Sequence, residues 1–180
     1  KWNFSLYKPG LVGGHCIGID PYYLIYKSEQ AGYKSSFLNA AREVNNNFPS
    51  WIVNQLVIKL KERNLILKSQ NVLILGFSYK ENCTDIRNTR VIDIINEINN
   101  HDMNYDIVDP LVDKEKCKQI YNINVLETIP DKKYSCVILA VPHEQFINRN
   151  NNLWSELKHQ DCIIIDLKSK LDKSLNAIRV

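Results

Sequence analysis

The chain has 180 residues, 44% of them hydrophobic and 24% charged, with a net charge of +3. That is the composition of a soluble globular protein with room for one or two cores, at about 100–200 residues per domain. No apolar run nears the ~18 residues of a membrane span, and no basic stripe is interleaved with aromatics, so neither a membrane nor nucleic acid is expected as a partner. The mild positive balance suits an anionic small ligand. Five cysteines, at 16, 83, 117, 136 and 162, are an odd number without a C-x-x-C pair. They suggest neither a zinc site nor a disulfide framework, and no metal is expected. Reduced thiols in a cytoplasmic protein are the simplest account. No secretory leader is evident, and the abrupt opening Lys1-Trp2-Asn3-Phe4 reads as part of a longer protein.

In chain order, residues 1–27 read as loop leading into a short helix, because Pro9, Gly10, Gly13, Gly14, Gly18 and Pro21 break any regular element. The loop carries Gly13-Gly14-His15-Cys16-Ile17-Gly18-Ile19-Asp20-Pro21. Dense glycine lets backbone approach a ligand closely, and a thiol presented there has the access a nucleophile needs. On local chemistry alone, a tight turn around a buried structural cysteine accounts for Cys16 equally well. A helix from Tyr22 is expected to stop at Gly32.

Residues 36–65 have helical spacing. Leu38, Ala41, Val44 and Phe48 share one face, and Ile52, Leu56, Val57 and Leu60 continue it. Pro49 predicts either a kink or two abutting helices. So long a stripe needs cover, from a part of the protein outside this chain or from a second copy.

From Asn71 onward, strands and helices alternate. Strands are expected at 71–76, 105–110, 136–141 and 162–166, with a possible short one at 123–125. Helices are expected around Val91–Ile98 and from Leu111 to Ile120. Cys136 and Cys162 fall in apolar runs and read as core. The alternation implies a parallel sheet wrapped by helices, with polar ligands beyond the carboxyl ends of the strands.

The turn after the first strand is Gly76-Phe77-Ser78-Tyr79-Lys80-Glu81-Asn82. It lacks the second glycine of the dinucleotide fingerprint, so NAD is not expected there in the usual way. Lys80 reads as a cation near a helix N-terminus at the sheet edge, Asp85 as the cap of that helix, and Arg87 as a second cation beside the crevice. Solvated surface charge plus a helix cap is the plainer account of the same residues.

Three segments together resemble one family. Gly10 to Leu24 is similar to the catalytic-cysteine segment of the UDP-glucose/GDP-mannose dehydrogenases. Ala41-Arg42-Glu43-Val44-Asn45-Asn46-Asn47-Phe48-Pro49 resembles their central-helix signature, and Leu73 to Asn88 the opening of their UDP-binding domain. His15, Tyr22-Tyr23 and Glu81-Asn82-Cys83 look most like the branch acting on UDP-N-acetylhexosamines for surface polysaccharide synthesis.

The resemblance implies an α/β fold: a Rossmann-like parallel sheet (69–180, binding UDP) preceded by a catalytic-cysteine loop and a long central helix for dimerisation (1–68). It implies an NAD-dependent, two-step oxidation of the hexose C6 alcohol to a carboxylate. Cys16 would be the nucleophile, in contact with both cofactor and substrate, and Asp20 would position or deprotonate water. Tyr7, Gly10, Leu11, Val12 and Gly13 would line the sugar pocket, Tyr79 and Lys80 would contact the UDP-sugar, and Arg87 would reach the NAD cofactor. Lys168 would lie near the substrate. His15 would be a site-wall residue, its side chain turned away from Cys16. The main NAD site, with the lysine and asparagine that stabilise the oxyanion, would lie in an N-terminal domain absent here. A sugar-nucleotide-binding or dimerisation module acting alone is the competing reading.

Overall fold

The computed structural model describes residues 9–148, 153–159 and 162–179. Helix α1 (Asp20–Gln30) and the long α2 (Ser36–Glu62) lead into β1 (Asn71–Leu75). There follow α3 (Val91–Asn100), β2 (Asn104–Val108), α4 (Lys114–Tyr121), β3 (Cys136–Leu139), α5 (Glu144–Ile147), α6 (Leu153–His159), β4 (Ile163–Asp166) and β5 (Ile178–Arg179). All strand pairings are parallel, in the order β2-β1-β3-β4-β5. This is the expected α/β, Rossmann-like sheet.

Strand alternation divides the core into two layers. Val72, Ile74, Ile107, Cys136, Ile138, Ile163 and Ile165 face one side, against α2, α3 and Cys117 of α4. Leu73, Leu75, Val108, Val137, Leu139 and Ile164 face the other, against Phe146, Trp154 and Leu157. Successive side chains point to opposite faces of a strand, so continuous apolar runs are what a sheet covered on both faces requires.

Several expectations are corrected. α2 is one continuous helix with Pro49 inside it. Proline removes one helical hydrogen bond, but burial of Pro49 itself and of the turns that follow it outweighs that loss. The apolar stripe divides at this point. Ile52, Val53, Leu56 and Leu60 are fully buried against the sheet domain of the same chain, so this half needs no partner. Residues 123–125 form no strand; Leu126 makes one isolated bridge to Val108. Asp113 caps α4, accepting from Lys116 N–H at 3.2 Å, so that helix starts later than Leu111. Cys136 is fully buried, but Cys162 precedes β4 and is only half-buried. The two-residue β5 has no strand signature in the sequence.

Candidate functional site

In an open parallel sheet, ligands bind beyond the strand ends where the chain order reverses, here between β1 and β3. Gly76 ends β1 at φ +91°, and a Cβ there would strike Val141 beyond β3. The two strand ends therefore meet tightly. The crevice above them is closed to about 10 Å³ by Leu11, Gly13, Tyr79, Thr89 and Lys168, among others. Leu11 packs its side chain on the core, so any part it takes in sugar binding falls to its backbone.

The cysteine loop is fastened to both neighbouring elements. Val12 and Asn45 of α2 exchange two hydrogen bonds, backbone N–H to Oδ1 and Nδ2 to backbone carbonyl, both 3.2 Å. Asn88 Nδ2 donates to the Gly14 carbonyl at 3.1 Å. A Cβ on Gly13 would collide with the Asn88 carbonyl oxygen, and one on Gly14, at φ +91°, would lie 2.9 Å from the Tyr79 ring. These glycines are thus required for contact with the 77–90 loop rather than for a turn alone. A Cβ on Gly10 would lie 2.9 Å from the Lys168 side chain.

Cys16 emerges exposed from this clamp. Its carbonyl accepts from the N–H groups of Ile19 and Asp20, each at 2.8 Å. Asp20 is the first residue of α1 and is exposed. His15 does not turn away: its Nδ1 is 3.4 Å from Cys16 Sγ. Tyr7 lies outside the described residues.

The connection from β1 to α3 is a long loop, residues 76–90, because α3 begins only at Val91. Lys80 therefore sits at no α3 N-terminus. It is exposed, with Nζ 5.3 Å from the Tyr79 ring centroid, and Tyr79 raises its pKa. Asp85 does not cap α3, whose N-cap is Arg90. It binds Arg87 instead, with Nη2–Oδ2 at 2.6 Å, Nε at 3.0 Å from both oxygens and the Arg87 N–H at 3.0 Å. Arg87 holds the Asp85 carboxyl below its ordinary range, with a smaller contribution from the charge of His15. Lys168 Nζ is committed to Glu81 at 2.9 Å. Burial raises the Glu81 carboxyl's pKa, but its own backbone amide and Lys168 more than offset this.

No motif or periodicity marks the buried pair beneath this loop. Asp109, at the end of β2, and His143, after β3, are both fully buried, with Nε2 3.0 Å from Oδ2. The same Oδ2 accepts the N–H groups of Phe77 (2.7 Å) and Ser78 (3.1 Å). Burial raises the Asp109 carboxyl, and the hydrogen bonds from His143, Phe77 and Leu111 outweigh it, so the pKa is lowered. The Phe77 side chain is buried edge-on to Tyr121. A dinucleotide pyrophosphate would need these turn amides, and a carboxylate already holds them; the turn does not fit NAD. Among the described residues, no three His, Cys, Asp or Glu side chains are grouped to hold a metal. No described helix is long and apolar enough to cross a membrane.

An exposed cysteine on a loop docked on a Rossmann-like domain, whose first-turn amides are taken by a carboxylate, defines a narrow class of protein. The chain belongs to the UDP-glucose/GDP-mannose dehydrogenase family: residues 73–173 match its UDP binding domain and residues 1–47 its central domain. It is 38% identical over 180 residues to the UDP-N-acetyl-D-glucosamine 6-dehydrogenase of Salmonella typhi, covering 100% of this chain and 42% of that protein. It is 37% identical over 169 residues to Protein CapL of Staphylococcus aureus, covering 93% of this chain and 39% of that protein. The solved NDP-N-acetyl-D-galactosaminuronic acid dehydrogenase of Methanosarcina mazei Go1 shares the fold, with TM-score 0.81 at 18% identity over 97% of this chain and 38% of that one. The chain thus spans about two-fifths of the length of these relatives.

Proposed function

We propose that this chain supplies the cysteine loop and dimerisation region (1–68) and the UDP-binding domain (69–180) of an NAD-dependent dehydrogenase. Its substrate would be a UDP-N-acetylhexosamine, oxidised at C6 from alcohol to carboxylate for surface polysaccharide precursors. One observation carries the reading: the loop presenting Cys16 is locked through Gly13, Gly14 and Asn88 onto the domain that would hold UDP. Nucleophile and nucleotide anchor therefore keep a fixed separation, which oxidation of one carbon of a nucleotide-sugar requires. The named activity of the Salmonella relative supports the choice of sugar class.

Arg87 would reach NAD from this domain, the cofactor being held chiefly outside these residues, and NAD when bound would supply hydride acceptance. Loss of a hydride from C6 and of the hydroxyl proton gives an aldehyde. Cys16 sulfur, as thiolate, bonds to the aldehyde carbon while the C=O π bond opens, forming a thiohemiacetal as its alkoxide. Loss of the second hydride leaves a thioester at the oxidation level of the acid. Water, positioned or deprotonated by Asp20, adds to the thioester carbon; the C–S bond breaks, returning the Cys16 thiolate and releasing carboxylate, and the two protons of the water pass to solvent. Tyr79 and Lys80 would bind the UDP moiety, with Tyr7, Gly10, Leu11, Val12 and Gly13 around the sugar.

The second half of the apolar stripe is covered within the chain, but the first is not. Ala40, Glu43, Val44, Asn47, Phe48 and Trp51 line an open apolar groove of about 530 Å³ on α2. With Phe37 and Val44 at 83% and 70% exposure, this face would form the homodimer contact.

The test is NADH formation by the intact protein with a panel of UDP-sugars. UDP-N-acetylhexosamines are expected to be oxidised with two NAD reduced per carboxylate. Cys16→Ser should abolish carboxylate release while leaving single-turnover oxidation possible. Normal steady-state turnover by Cys16→Ser would reject the covalent route.

A further inference from the structure

We propose that the buried Asp109–His143 pair is a positioning couple that sets the shape of the Tyr79–Lys80 segment for UDP; this rests on the UDP reading above. The pair holds that segment from both ends. At the near end, Asp109 Oδ2 accepts the N–H groups of Phe77 and Ser78. At the far end, His143 Nδ1 accepts the N–H of Asn82 at 2.9 Å. Asn82 stands at φ +53°, a left-handed conformation that asparagine tolerates but that still needs support.

The hydrogen bonds also define the state of the imidazole. Nδ1 accepts a hydrogen bond from the Asn82 amide, so it carries no hydrogen itself; Nε2 carries the ring hydrogen and donates a hydrogen bond to Asp109 Oδ2. Asp109 Oδ1 is taken by Leu111 N–H at 2.9 Å, which fixes the carboxylate plane against its own strand end. Further contacts fix the segment between the two anchors. Ser78 Oγ donates to the Lys80 carbonyl at 2.8 Å, Tyr79 N–H donates to the Asp85 carbonyl at 3.1 Å, and the Asn82 side chain bonds Glu144.

Both side chains are fully buried and cannot touch the ligand. What they determine is where Tyr79 and Lys80 emerge, and Tyr79 is also the ring on which Gly14 rests. One couple thereby sets the nucleotide anchor and the seat of the cysteine loop. Doubly wound folds usually leave the first turn's amides for a phosphate. Here a protein carboxylate takes them, and binding passes to the side chains beyond.

Substitutions at His143 separate the two ends. His143→Asn places an amide oxygen near the Nδ1 position and keeps an acceptor for Asn82. His143→Gln reaches toward Asp109 with its amide N–H and abandons Asn82, and His143→Ala abandons both. Calorimetry with UDP on the intact protein should show Kd raised about tenfold or more in the Gln and Ala variants and less than about threefold in the Asn variant. Amide hydrogen exchange should quicken at residues 79–82 in the Gln and Ala variants, while the β1 and β3 amides keep their protection. UDP affinity unchanged in all three variants rejects this inference alone. So does affinity that falls only in step with melting temperature, with exchange quickened across the whole sheet. No UDP binding by the unsubstituted protein rejects the UDP reading, and this inference with it.

Discussion

His15 Nδ1 stands 3.4 Å from the sulfur of Cys16, in a loop whose flanking glycines are pressed onto the 77–90 segment. Cys117 and Cys136 are placed differently. Burial pushes Cys117 up to about 11 and raises Cys136 well above the ordinary range. For Cys117 this lowers the thiolate fraction at neutral pH on the order of 100-fold relative to an ordinary thiol. Brief iodoacetamide treatment of folded protein should therefore label Cys16 well before Cys117 and Cys136, as read by mass-spectrometric peptide mapping. Labelling of Cys136 at the rate of Cys16 would contradict this placement.

Gly13→Ala should loosen the clamp without altering Cys16 itself. The new Cβ meets the Asn88 carbonyl oxygen, a backbone atom that cannot rotate away. Either the loop lifts or the 86–90 turn shifts, at an expected cost of about 1–3 kcal/mol by urea denaturation. On the proposed function, carboxylate production in the intact protein should fall further than UDP affinity, because the thiol moves relative to the Tyr79–Lys80 segment. An unchanged unfolding midpoint would show that the contact can relax freely.

The Asp109 carboxyl titrates below its ordinary value in the folded protein. Its contribution to stability is therefore fully present above about pH 4, the ordinary carboxylate value, and is lost as pH falls through the lower folded value. Asp109→Asn should be less stable than the unsubstituted protein at pH 6, because Oδ2 no longer serves three donors as an anion. The gap in unfolding free energy should narrow once the pH drops below about 4. A gap that widens on acidification would reverse the assigned direction.

Val44→Asp tests the exposed half of α2. Val44 is 70% exposed and lines the apolar groove with Phe48 and Trp51. If the groove is the dimer contact, a carboxylate there should weaken association by about 2 kcal/mol or more, roughly 30-fold, in sedimentation equilibrium of the intact protein. Folding of the monomer should be unaffected, since the residue touches none of the core. Dimers of unchanged affinity would assign the groove to another part of the protein.

Much of this protein was determined by local sequence. The apolar runs around Leu73, Ile138 and Ile164 fix buried parallel strands, because a strand covered on both faces cannot carry polar residues on either. Gly76-Phe77-Ser78 lacks, by residue type alone, the second glycine of the dinucleotide fingerprint. The glycines around Cys16 mark a close backbone approach, though not what is approached. The tertiary structure decided the rest, because it depends on pairs distant in the chain. Whether Pro49 breaks α2 was decided by burial of Ile52, Leu56 and Leu60, not by proline's own preference. Asp85 has the composition of a helix cap, yet Arg87 two residues on offers it a closer, charged partner. Gly13 with Asn88, Asn45 with Val12 and Asp109 with His143 are separated by 30 to 80 positions or so and follow no period; the order of the parallel strands brings Asp109 beside His143, and the docking of the cysteine loop brings Val12 to Asn45 and Gly13 to Asn88.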